Sequence, residues 1–324
     1  MEDEITIKES IREEMARFNS AIVNSLGTDN RLLEKVVNYF LKSKGKQIRP
    51  ILVILSAKIF GAINDSTLNA AVAVELLHNA SLIHDDVVDG SLLRRGRKSI
   101  SGVWDNRIAV LVGDYFVSCA LKSAILSGSS DVTDAIANLG KELAKGEIDQ
   151  IETANGRIID EERYFRVIKQ KTASLFASCM RMGGLTNGAS ADELDILYSF
   201  GEKLGLCFQI RDDIFDYFED DKVGKPTGSD LKEGKISLPL IYAVKNGTGE
   251  INDRMRALLS GNSLSDDEIA ELITYAKEQG GISYAISVME RLKSDANSIL
   301  LYFGDSPMIN PLRDILHFIT VRSY

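Results

Sequence analysis

The chain has 324 residues, 44% of them apolar and 26% charged, with a formal net charge of −9. That length exceeds an ordinary domain but suits one large helical fold with a sizeable core. The acidic balance argues against broad nucleic-acid binding, while anionic small ligands stay open because local cations matter more than the total.

The N-terminal MEDEITIKES is acidic and lacks the basic and apolar regions of a secretory signal. No run of about 18 apolar residues occurs, so no membrane-spanning segment is expected. Apolar residues recur at helical steps, as in Ile11, Met15, Phe18 and Ile22. Only five prolines interrupt the chain (Pro50, Pro226, Pro239, Pro307 and Pro311), and strand-like alternation is hard to find. The expectation is an all-α protein, a single domain over residues 1–324 built as a multi-helix bundle. The segment from Ser43 to Pro50 ends one helical stretch and begins another, which places Lys44, Lys46 and Arg49 around a connection.

The next stretch carries the first chemical signal, SLIHDDVVDG with Asp85, Asp86 and Asp89. A second copy of the Asp-Asp-x-x-Asp pattern, Asp212, Asp213 and Asp216, lies in CFQIRDDIFDYF. At about 100° per residue, carboxylates four apart share one side of a helix, so each copy can form a two-oxygen claw. Upstream, His78, Ser81, Asp85 and Asp89 fall on one face, and Gly205, Gln209, Asp212 and Asp216 do the same in the second copy. Each helix thus presents carboxylates at one end and neutral groups further along, a way to line a pocket with an ionic mouth and apolar depth. Charged residues are seldom buried unless paired or bound to metal, and Mg²⁺ takes a few carboxylates plus phosphate oxygens.

One such acidic cluster is more often a solvated helix end complementing the dipole. Two copies in apolar helices, each followed by cations, point instead to a metal-bridged anionic ligand. Those cations are Arg94, Arg95 and Arg97 after the first copy, and Lys225 and Lys235 after the second, with Lys169 and Lys171, beside the hydroxyl of Thr172, between. Arg offers a planar fork to phosphate oxygens and Lys a movable point charge. His84 is rotated off the claw face and is expected to be structural, as are His317 and Trp104. Glu75 and His78 spell Glu-x-x-His, but a second copy needed for a di-iron centre is missing, the nearest being Asp314 to His317. Neither a P-loop nor a dinucleotide fingerprint occurs. The three cysteines, Cys119, Cys179 and Cys207, are scattered without disulfide or zinc spacing, which suits a cytoplasmic location.

With GKQIRP, LIHDDVVDGSLLRRG, VLVGDYF, KTASLF, FQIRDDIFDYF and GKPTGSDLKEGKISLPL in order, the chain resembles the all-trans polyprenyl diphosphate synthases of the isoprenyl diphosphate synthase family. The resemblance implies an all-helical isoprenoid synthase fold with a deep central cavity, usually as a homodimer. It implies a prenyltransferase that condenses isopentenyl diphosphate with an allylic diphosphate such as farnesyl diphosphate, with three Mg²⁺ per active site. Residue by residue, it makes Asp85, Asp89 and Asp212 the Mg²⁺ ligands, with Asp86, Asp213 and Asp216 completing the motifs. It assigns Lys46, Arg49, His78 and Arg95 to isopentenyl diphosphate, and Arg94, Lys171, Thr172, Gln209, Lys225 and Lys235 to the allylic diphosphate. Proton removal falls to the released diphosphate, so no side-chain base is required.

Product length should follow from what blocks the pocket below the first motif. Short-chain relatives commonly carry aromatic bulk four and five residues before the first aspartate, where this chain has Ser81 and Ala80. The expectation is a medium- to long-chain product, roughly C30 to C50, such as a quinone side chain. A geranylgeranyl or farnesyl diphosphate synthase is the nearest alternative. A class I terpene cyclase fits less well because Asp216 stands where such enzymes carry Ser or Thr, and a non-catalytic subunit fits less well because both motifs are intact.

Overall fold

A computed structural model describes residues 10–42, 45–94, 96–218, 227–261, 263–304 and 306–321. Helices dominate throughout, as the periodicity predicts. In chain order they begin with α1 (Arg12–Ser25), α2 (Arg31–Leu41), α3 (Ile48–Phe60) and α4 (Asp65–Val88). A two-residue hairpin follows, β1 (Leu93–Arg94) antiparallel to β2 (Arg97–Lys98), with Arg94 opposite Arg97. Next come α5 (Ile100–Val103), α6 (Asn106–Leu126), α7 (Ser130–Gly156) and α8 (Glu161–Ile168), which runs into a π-helical turn at Lys169–Ala173. The remainder is α9 (Ser174–Thr186), α10 (Ala191–Phe215), α11 (Ser229–Lys232), α12 (Leu238–Asn246), α13 (Gly249–Leu259), α14 (Asp266–Glu278), α15 (Gly281–Leu300) and α16 (Ile309–Val321).

The chain divides into two compact units. The first comprises residues 1–141, 175–201 and 299–315. Its axis is α4, which packs on α6, α3 and α1. From Ala70 to His78 every α4 residue is buried, so this stretch sits inside the core, with Glu75 and His78 its polar members. Asn64 starts it with a capping box: its side chain accepts the Thr67 N–H, and the Thr67 hydroxyl oxygen accepts the Asn64 N–H. The centre is filled by Phe18, Leu52, Leu55, Leu76, Phe116 and Phe176.

The helix α6 bears on the expectation about membrane spans without overturning it, since buried core helices pass the same length-and-composition test. Its 21 residues are long and apolar enough to cross a bilayer by length and composition. Its Ala109, Val112, Phe116 and Ala120 side is buried, and it packs along α4, while Leu111, Ile125 and Leu126 stay exposed.

The second unit comprises residues 142–174, 202–298 and 316–324. Here α12 is the central element, buried from Leu238 to Ile241 and again at Ala243 and Val244, and it packs on α14, α8 and α13. Pro239 near its start sets φ where the helix has no N–H to lose. Ser265 and Glu268 form a capping box on α14, so that a helix with three acidic residues in its first turn also matches its dipole.

Candidate active site

The first acidic motif closes α4. The helix ends at Val88, yet the Asp89 N–H still donates to the Asp85 carbonyl at 2.8 Å, so helical geometry reaches the third aspartate. Asp85 and Asp89 therefore lie on the same face as His78 and Ser81. Asp85 is half-buried and Asp89 exposed, whereas His78 is buried and the Ser81 hydroxyl donates back to the His78 carbonyl at 2.9 Å. Ala80 is fully buried.

Asp86 is turned away from that face into the protein, with only 5% of its surface exposed. Arg94 reaches it from the hairpin, placing both Nε and Nη2 2.8 Å from Oδ1. Burial pushes the Asp86 carboxyl above the usual carboxylate range, and the Arg94 guanidinium pulls it back. The hairpin that carries Arg94 is tied down by Ser99, whose N–H donates to Leu92 and whose hydroxyl donates to Ser91, and by Tyr39, whose hydroxyl donates to the Lys98 carbonyl. A cleft of about 50 Å³ opens on this Asp86 side of α4, lined by Tyr39, Asn79, Asp86, Arg94 and Arg97 among others. The His84 ring lies against α6, where a side chain on residue 113 would stand, with Nε2 3.2 Å from the Val110 carbonyl. A Cβ at residue 113 would require the ring to move.

Of the basic residues expected here, Lys46 is exposed and Arg49 half-buried, with the Arg49 guanidinium 5.5 Å from the Phe176 ring centre. Arg95, like Lys44, lies outside the described residues.

The second motif is built differently. The helix α10 ends at Phe215, one residue before Asp216, just as α4 ends one residue before Asp89. The two Asp216 carboxylate oxygens accept the Ser229 and Asp230 N–H groups at 3.0 and 3.2 Å, at the start of α11. Asp212 is exposed and Asp213 buried. Asp216 thus sits at its helix end as Asp89 does, and differs from it in anchoring the returning chain. Lys225 lies outside the described residues, and Lys235 rests with Nζ 2.5 Å from Glu233 Oε2.

Thr172, Gln209 and Asp213 are brought together, while the neighbouring Lys171 turns to α7. The π-helical turn that carries Lys171 and Thr172 is the kind of local widening found at functional sites. Lys171 Nζ sits 2.5 Å from Glu147 Oε2 and 3.1 Å from Gln150 Oε1 on α7. The Thr172 hydroxyl donates to Gln209 Oε1 at 2.7 Å, and Gln209 Nε2 donates to Asp213 Oδ1 at 2.8 Å. The other Asp213 oxygen accepts the Tyr164 hydroxyl at 2.6 Å. Burial, with the Asp230 charge adding, pushes the Asp213 carboxyl well up, and these two donors act against it.

Four residues here escape sequence reasoning: Tyr164, Gly146, Glu147 and Gln150. Glu147 and Gln150 read as the solvated face of an amphipathic helix, because the cation they hold lies more than twenty residues on. Gly146 was the available signal, since an interior helical glycine costs about 1 kcal/mol against alanine and so hints at close approach. A Cβ on it would stand 2.8 Å from the Lys171 backbone nitrogen.

The oxygen donors suit a hard divalent cation. Among the described residues no three or more His, Cys, Asp or Glu side chains close around a point. Each motif offers an incomplete shell, which phosphate oxygens and water would complete, as Mg²⁺ prefers.

Comparison with known proteins agrees with this chemistry. The family model described as polyprenyl synthetase matches residues 30–276. Octaprenyl diphosphate synthase of Escherichia coli is 36% identical over 319 residues, 98% of each chain. Nonaprenyl diphosphate synthase of Mycobacterium tuberculosis is 30% identical, over 97% of this chain and 93% of that one. Among solved structures, a decaprenyl diphosphate synthase from Rhodobacter capsulatus superposes with a TM-score of 0.92 at 30% identity, covering 99% of this chain and 100% of that one. A geranylgeranyl pyrophosphate synthase from Bacteroides thetaiotaomicron gives 0.85 at 36% identity, with 99% and 100% covered.

Proposed function

The chain belongs to the polyprenyl synthetase family and is a trans-prenyltransferase, and from that premise we propose that it is a Mg²⁺-dependent enzyme making a medium- to long-chain polyprenyl diphosphate. It condenses isopentenyl diphosphate head-to-tail with an allylic diphosphate such as farnesyl diphosphate. The observation that carries this is the sorting of aspartates within each motif: Asp86 and Asp213 are buried on protein donors, while Asp89 and Asp212 are exposed and Asp85 half-buried. Asp85, Asp89 and Asp212 are the proposed Mg²⁺ ligands, with three ions per active site and Asp216 completing the second motif.

Cleavage of the allylic C–O bond moves a bonding pair onto the departing diphosphate. Bound Mg²⁺ supplies charge neutralisation for that leaving group. Lys171 adds a positive charge whose position is set by Glu147 and Gln150, and Thr172 with Gln209 flanks it with hydrogen-bonding groups. Arg94 and Lys235 serve the same diphosphate in this reading, while Lys46, Arg49 and His78 hold isopentenyl diphosphate. The π bond of isopentenyl diphosphate attacks the allylic cation, and loss of a proton to the released diphosphate restores an allylic product. Water has to be excluded throughout, because it would quench the cation.

Ala80 and Ser81 leave room for a growing tail, and a quinone side chain is the proposed destination. Ser81, being half-buried, is the better place to add bulk, and Ser81→Phe or Ala80→Phe should shorten the product; unchanged length in both would remove this tunnel from α4. A homodimer in the cytoplasm is proposed as well, supported by the exposed Leu111, Ile125 and Leu126 on α6 and by three buried free thiols. The 36% identity to a geranylgeranyl pyrophosphate synthase keeps a shorter C20 product as the second reading.

The test is incubation of the purified protein with isopentenyl diphosphate, farnesyl diphosphate and Mg²⁺, followed by sizing of the dephosphorylated products. A ladder ending at one long prenol supports the proposal. Arrest at C20 favours the second reading, and no elongation with any allylic starter overturns both.

A further inference from the structure

We propose that Tyr164 is a positioning residue for the second acidic motif: its hydroxyl fixes the Asp213 carboxylate and thereby the turn of α10 that presents Asp212. This rests on the reading of Asp212 as a Mg²⁺ ligand. Each oxygen of Asp213 has a protein donor, Tyr164 on Oδ2 at 2.6 Å and Gln209 on Oδ1 at 2.8 Å. Gln209 passes the constraint on, because its own oxygen accepts the Thr172 hydroxyl at 2.7 Å. Tyr164 and Thr172 belong to one continuous stretch, α8 and the π-helical turn, so the chain of hydrogen bonds returns to the segment from which it started. Tyr164 is 7% and Asp213 6% exposed, so water has little access to replace a missing partner.

The geometry separates two jobs within adjacent residues. Successive helical side chains diverge by about 100°, so clamping Asp213 inward fixes the outward angle of Asp212. The clamp is made of neutral donors, which hold orientation without supplying a counter-charge that would compete with a cation at Asp212. Such supporting hydrogen bonds to a metal site are typically worth 10- to 100-fold in metal affinity or activity. The Tyr164 ring also packs edge-on to Phe165, with centroids 5.3 Å apart, a contact that phenylalanine at 164 would keep. Tyr164→Phe therefore removes the hydroxyl alone.

The experiment compares full-length wild type, Tyr164→Phe, Asp212→Asn and Asp213→Asn. Binding of inorganic diphosphate in the presence of Mg²⁺ is followed by calorimetry, and the Mg²⁺ concentration giving half-maximal elongation by steady-state assay. Tyr164→Phe should weaken Mg²⁺-dependent diphosphate binding and raise the half-saturating Mg²⁺ about tenfold, with the KM for isopentenyl diphosphate within about twofold of wild type. Values for Tyr164→Phe within twofold of wild type in both Mg²⁺ readouts would overturn the proposal. If Tyr164→Phe fails to fold, Asp213→Asn decides: it keeps acceptor capacity for Tyr164, so its Mg²⁺ loss should be far smaller than that of Asp212→Asn, and an equal loss overturns the clamp. An Asp212→Asn enzyme with wild-type Mg²⁺ dependence would instead remove the ligand reading beneath it.

Discussion

The two acidic motifs share a spelling and differ in what holds their middle carboxylate. Asp86 meets a full positive charge, Arg94, delivered by a hairpin whose guanidinium stays about one-third exposed. Asp213 meets two neutral donors, Tyr164 and Gln209, in a place closed to water. The first arrangement compensates charge and leaves the partner free to turn toward solvent or ligand. The second compensates by geometry and ties its partner to Thr172. The third aspartates differ too, since Asp89 sits exposed at a helix end while Asp216 receives the N–H groups that start α11. One pattern thus yields an adaptable site in the first unit and a framed one in the second.

The largest effect should come from the outward aspartates. Asp85→Ala and Asp212→Ala are each expected to lower kcat by about 10³-fold, read by radiolabelled isopentenyl incorporation. A loss under tenfold at either would break the equivalence of the two motifs. A stability contrast comes next. Asp213→Ala leaves the buried Tyr164 hydroxyl without its acceptor, at roughly 1–3 kcal/mol, while the half-buried Gln209 amide can turn to water. Asp86→Ala also removes a costly buried carboxylate and lets Arg94 turn to water, so its change should stay within about 1 kcal/mol. Urea unfolding of both variants checks this, and equal midpoints would erase the distinction drawn between the sites.

A smaller pair of changes lies on α7. Gly146→Ala pushes a methyl against the Lys171 nitrogen and Gln170, and should cost about 1–3 kcal/mol with a rise in KM for the allylic diphosphate. Gly140→Ala meets only Leu77 at 3.7 Å and should stabilise the helix by up to about 1 kcal/mol. Thermal melts would separate them, and stabilisation by both would deny the close approach at 146.

The weakest effect concerns thiols in the two units. Burial pushes Cys207 up to about 12 and raises Cys179 as well. Because the folded thiol holds its proton more tightly than the unfolded one, this contribution to stability is complete below pH 9 for Cys207 and is lost as pH rises toward about 12. At pH 8 neither thiol should react with Ellman's reagent until urea unfolds the chain; prompt reaction of either would mean an open core at that position.

Much of this was legible without coordinates because it depends on local spacing. The 3.6-residue period announces helices, and aspartates at steps of one and four announce a carboxylate pair with a third member rotated away. The family resemblance and its matched residues also rest on linear motifs. What spacing could not give was the partner of that third carboxylate. Arg94 lies near enough in sequence to be suspected for Asp86, but Tyr164 lies 49 positions from Asp213, and nothing in EERYFRVI marks its hydroxyl. Glu147 was hidden for the same reason, on a helix face that looks solvated until Lys171 arrives. The anchoring role of Asp216 was also concealed, because the N–H groups it accepts lie thirteen and fourteen residues on.

The sequence by itself therefore determined the helical class, the two acidic motifs and the cations that accompany them, since hydrophobic period and charge spacing act within a few residues. Tertiary structure decided which aspartate of each motif turns inward and what meets it there. A buried carboxylate is stable only where donors converge on it, and those donors come from segments far along the chain.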